Sequence, residues 1–62
     1  MEKYKFAVSV VAMRDGKVYH NSLVFECFTE EEAVGCGYKS ISMSHPSSSG
    51  WWNYSAVAVK IP

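Results

Sequence analysis

Asp15-Gly16 stands between two stretches, residues 4–13 and 18–27, in which apolar and polar side chains alternate. A type I′ turn requires positive φ at both central residues, and Asp-Gly supplies it more readily than almost any other pair. With these two residues as the loop, Phe6 faces Phe25, Val8 faces Leu23 and Tyr4 faces Cys27 on one side of a hairpin. On the other side Lys5 faces Glu26, Ala7 faces Val24 and Ser9 faces Ser22. Apolar meets apolar and opposite charges meet, which is what cross-strand pairing favours. A slip of one residue would turn every side chain of one strand to the wrong face.

A helix is expected next. Thr29 is the N-cap and Glu32, three residues on, completes a capping box. Glu30, Glu31 and Glu32 place negative charge at the positive end of the helix dipole. Ala33, Val34, Gly37, Tyr38 and Ile41 recur at helical spacing as one apolar stripe. Gly35 and Gly37 each cost about 1 kcal/mol relative to alanine inside a helix, so close approach to the sheet or to another chain is their expected use. Pro46 disfavours helical backbone at the residue before it and ends the helix near Ser44 and His45. Residues 46–50 read as a loop.

Residues 51–61 alternate again, with Val57, Val59 and Ile61 on one side and Trp52, Tyr54, Ala56, Ala58 and Lys60 on the other. The order is ββαβ: an α+β fold with an antiparallel N-terminal hairpin and one helix packed on a three-stranded sheet, spanning 1–62 as a single domain. A crossover through the helix would lay the third strand beside the first and parallel to it, although the pattern leaves strand order open.

A chain of 62 residues is marginal on size alone, because a domain this small buries only about 60% of the surface its unfolded chain exposes. Hydrophobic content of 48% and a formal net charge of zero argue for an ordered chain. They also argue against nucleic-acid binding, which calls for a clustered basic face. Lys3 and Lys5 ahead of residues 6–13 imitate a signal peptide faintly, but no small-residue cleavage site follows and the alternation suits a strand. No run approaches the ~20 apolar residues of a membrane span. A cytoplasmic protein is expected, and the match of Asn53-Tyr54-Ser55 to a glycosylation sequon then carries no meaning.

The sheet face away from the helix is the informative one. It is expected to carry Ala7, Ser9, Val11 and Met13 from the first strand, then His20, Ser22, Val24 and Glu26 from the second. Trp52, Tyr54, Ala56 and Ala58 are expected to complete it from the third. A solvated face should alternate to charged and polar side chains; this one is small and mostly uncharged. Such a patch marks an interaction site. Its expected partner is a second copy in a homodimer, contacting through Ala7, Ser9, Val11, Val24, Trp52, Tyr54, Ala56 and Ala58.

Motifs for chemistry are absent. Gly35–Ser40 has glycines inside a helix behind three glutamates, where a phosphate loop would need them at the helix start. Cys36 is expected roughly opposite the apolar stripe and Cys27 toward the core, which disfavours a disulfide. His20 and His45 lack the paired spacing of zinc ligands. Ser47–Ser49, His45 and Asp15 contain no nucleophile elbow. No catalytic residue, cofactor or metal is therefore expected.

The remaining surface candidate is the loop with His45, Ser47, Ser48, Ser49, Gly50 and Trp52, while Trp51 is expected to anchor on the core side. Tryptophan and tyrosine recur in binding hot spots. Two functions follow as expectations. One is a homo-oligomeric module that binds and modulates or inhibits another protein; compact accessory proteins of viruses and mobile elements, inhibitors of host defence among them, share its size class. The other is binding of a nucleotide-like small molecule by the serine-rich aromatic loop at the dimer interface.

Overall fold

The computed structural model describes residues 2–62. Strand β1 (Tyr4–Arg14) and strand β2 (Lys17–Cys27) are followed by helix α1 (Glu30–Ser44), a 3-10 turn over Ser47–Ser49, and strand β3 (Trp52–Lys60). Asp15 and Gly16 have φ of 47° and 76°, the two positive values that a type I′ turn demands. The hairpin register runs without a break from Tyr4 opposite Cys27 to Arg14 opposite Lys17, as the turn dictates.

Strand order is β2-β1-β3, and β3 lies antiparallel to β1. The expected parallel pairing with β1 is thus corrected in direction. The reason is the return path: β2 descends, α1 carries the chain back up the sheet, and β3 descends again. β3 is therefore parallel to β2, with β1 inserted between them.

α1 starts where the capping residues place it. The Thr29 hydroxyl accepts from the Glu32 backbone N–H at 3.2 Å and donates to the Glu32 carboxylate at the same distance. At the other end the His45 N–H closes on the Ile41 carbonyl at 2.8 Å. Ala33, Gly37 and Ile41 form the buried line of the helix, spaced by four residues. Against them lie Phe6, Val8, Val10 and Ala12 of β1, with Cys27 and Ala58. Tyr38, expected in the apolar stripe, is largely exposed at the stripe's edge.

Gly37 sets how closely the helix sits on the sheet. A Cβ there would stand 2.7 Å from Val8 Cγ1, 3.2 Å from Val10 Cγ1 and 3.3 Å from the Ala56 Cβ. Gly35 meets nothing within 4 Å, so its expected approach to the sheet does not occur.

Candidate self-association face

The tight seat of α1 decides which way β3 turns. Val8 pairs with Ala58 and Val10 with Ala56, so both alanines lie on the helix side, and Ala58 is only 4% exposed. Tyr54 lies there too, its hydroxyl donating to the His45 carbonyl at 2.6 Å. Tyr54, Ala56 and Ala58, expected on the outer face, therefore belong to the inner one. Val57 and Val59, expected toward the helix, are outside and are 59% and 64% exposed. Beneath a helix held this close there is room for alanine and not for valine.

Trp52 keeps its expected face for a reason the alternation does not contain. Between the Val11–Ser55 and Met13–Trp52 pairs β3 carries one extra residue. Asn53, within this bulge, has φ of 55°, and its amide donates to the Met13 sulfur at 3.2 Å. A bulge breaks the period of two and returns Trp52 to the outer face, opposite Met13.

The outer face reads as four rows across the three strands. Val24, Ala7 and Val59 form the first, then Ser22, Ser9 and Val57, then His20, Val11 and Ser55, and last Val18, Met13 and Trp52. No acidic residue, lysine or arginine occurs in these rows. Charge begins at one end with Lys5 opposite Glu26, and the rows run out at the Asp15-Gly16 turn at the other; Arg14 and Lys17 are in phase with Ala12, and the Arg14 guanidinium lies over Trp51 on the helix side. Val18, Val24, Val57, Val59 and Trp52 are all more than half exposed. Of the expected interface residues, Ala7, Ser9, Val11, Val24 and Trp52 stand on this face; Val57 and Val59 join them because β3 has the opposite phase to that expected.

The expected ligand loop is divided. His45 stacks on Tyr19 with ring centroids 3.8 Å apart and meets Trp51 edge-on at 4.7 Å. Trp51 packs against the core from the helix side, as expected. Ser47, Ser48 and Ser49 form an exposed 3-10 turn, and Gly50 follows with φ of 94° beside the Arg14 side chain. Trp52 points to the opposite face, so the six residues do not converge on one site. A concavity of about 480 Å³ lies near the start of α1, lined by Tyr4, Phe6, Phe28, Thr29, Ala58 and Lys60 among others.

Cys36 is not turned away from the core as expected. It is half-buried and packs on the core cluster that includes Cys27. Burial, and then the neighbouring Cys36 thiol, raises the pKa of Cys27. Among the described residues no three His, Cys, Asp or Glu side chains gather as metal ligands, and no helix is long and apolar enough to cross a membrane. Comparison with family models, curated proteins and solved structures gives no match.

Proposed function

We propose that the protein is a homodimeric interaction module whose bare sheet face seats a second copy of itself, and that it acts by contact with other proteins. The observation that carries this reading is the four-row face, made of apolar and hydroxyl side chains and His20, with Lys5 and Glu26 at one end. Large exposed apolar patches rimmed by polar residues mark interaction surfaces.

The arrangement of the rows favours self-pairing. The two fully apolar rows lie outermost, and the rows with hydroxyls and His20 lie between them. Consider a twofold axis in the plane between two stacked sheets. With the axis across the strands, the two apolar outer rows meet each other and the Lys5–Glu26 end of one sheet lies against the turn end of the other. Isologous dimers need this kind of self-complementarity. Four rows extend about 26 Å along three strands at ~4.8 Å spacing, a projected area of roughly 400 Å² per face. Two such faces bury roughly 800 Å², the range of weak, reversible association.

Sedimentation equilibrium over a micromolar range tests the reading. The expected result is a dimer whose dissociation constant rises at least about tenfold in Val59→Lys, which would bury an ammonium without a partner. Met43→Lys, an exposed position on α1, should leave the association unchanged. A folded monomer at the highest concentration overturns the proposal.

A further inference from the structure

In a hairpin with a two-residue loop the residues flanking the turn exchange both backbone hydrogen bonds, and every second pair beyond them does the same. Here that series starts with Arg14–Lys17 and Ala12–Tyr19. The backbone groups of the intervening β1 residues turn the other way, to β3; the Ile61 N–H donating to the Lys5 carbonyl at 2.8 Å is one of those bonds. On β3 the backbone of Val57 and Val59 therefore faces β1, while the N–H and C=O groups of Ala56, Ala58 and Lys60 point to the free edge. Among the described residues no hydrogen bond reaches these three from outside the sheet.

The two edges of the sheet differ. At the β2 edge the Ser22 N–H is taken by the Asn21 side chain at 2.9 Å, which blocks the middle of that strand. Beside the β3 edge lies the concavity of about 480 Å³, lined by Ala58, Val59 and Lys60 in succession and by Tyr4, Phe6 and Phe28 among others. Val59 turns its side chain to the opposite face of the sheet, so the concavity reaches the free edge.

We propose that the free edge of β3 takes an extended segment of a partner protein as a fourth strand, antiparallel to β3, with an aliphatic side chain of that segment set in the concavity beside Ala58. This builds on contact with other proteins as the mode of action, and pairing of copies through the outer face leaves the β3 edge open. Unpaired donors and acceptors on alternate residues call for extended backbone, and the small side chains of Ala56 and Ala58 leave room for a larger neighbour on the helix side. A second copy fits poorly here. Laid antiparallel, its own β3 offers Ala56 and Ala58, which leave the concavity unfilled. Its Lys60, set opposite Ala58, would bring two ammonium groups together. Its β2 edge is blocked at Ser22.

The test adds a capped peptide of about seven residues, alternating valine and threonine, to the isotope-labelled full chain and follows the amide NMR signals. In the antiparallel pairing, the peptide residues opposite Ala58 and Lys60 bond to β3 and turn their side chains to the helix side; these are the valines. Peptide N-methylated at the threonines is expected to bind, shifting the Ala56, Ala58 and Lys60 amides and slowing their hydrogen exchange. Peptide N-methylated at the valines is expected not to bind. Lys60→Pro removes an outward donor where an edge strand tolerates proline and should weaken binding at least about tenfold, whereas Lys60→Ala should retain it. Should Lys60→Pro fold poorly, the two peptides on the unsubstituted chain decide. No binding at millimolar peptide, shifts confined to β2 or to the outer face, binding of the valine-methylated form, or equal loss in Lys60→Ala overturns the proposal. None of these outcomes depends on whether the chain dimerises, which sedimentation reads separately.

Discussion

Val57 pairs with Ser9 on the sheet face that α1 leaves uncovered, while the next residue, Ala58, pairs with Val8 beneath the helix. This single step along β3 places the larger apolar side chain outside and the smaller one in the core. The helix sits so close that the inner face takes alanine, and the excess apolar surface is turned outward to where a second copy can cover it.

The close seat of α1 predicts opposite outcomes at its two glycines. Gly37→Ala forces a methyl to 2.7 Å from a buried valine methyl, and such overpacking costs about 1–3 kcal/mol. Gly35→Ala has open space around it and should gain up to about 1 kcal/mol from helix propensity. Urea unfolding at one fixed protein concentration measures both. Equal effects at the two positions would contradict the packing described.

Thr29→Ala removes the acceptor for the Glu32 N–H and should cost about 1 kcal/mol. Hydrogen exchange should quicken at the amides of the first turn of α1 and not at Ile41 or beyond. Thermal unfolding checks the total, and exchange checks its location.

Cys27 gives a prediction for alkaline pH. Burial, then the Cys36 thiol, then Glu32 raise its pKa above the ordinary 9.0, with Lys3 opposing. The folded state then holds this proton more tightly than the unfolded state does. Its contribution is fully present below about pH 9 and is lost as pH rises through the elevated folded value. Under reducing conditions, the stability difference between the unsubstituted protein and Cys27→Ala should narrow above pH 9. A difference constant from pH 7 to 10 would contradict the shift.

The hairpin, the helix and both helix ends are legible in the sequence because each rests on local chemistry. Asp15-Gly16 sets the register, Thr29 and Glu32 set the start of α1, and Pro46 sets its end. The phase of β3 is not local. Hydrophobicity alone directs Val57, Val59 and Ile61 to the core, whereas the space beneath Gly37 decides for Ala56 and Ala58. The available signal was size: Ala33 and Gly37 at helical spacing announce a close approach, which calls for small residues opposite. The bulge at Asn53 is hidden for another reason. Asparagine tolerates positive φ without requiring it, so nothing in the pattern marks where the alternation reverses. Cys36 was displaced for a related reason. The buried line runs through Ala33, Gly37 and Ile41, which brings the Cys36 flank of α1 onto the core and leaves Tyr38 at the exposed edge.

Contact between the outer faces of two copies is observed directly by isotope-filtered NMR on a mixture of labelled and unlabelled chains. Intermolecular NOEs are predicted among methyl groups of Val18, Val24, Val57 and Val59, with none from Met43 on α1. Intermolecular contacts confined to the helix side, or no intermolecular contacts from a folded protein at millimolar concentration, would contradict it.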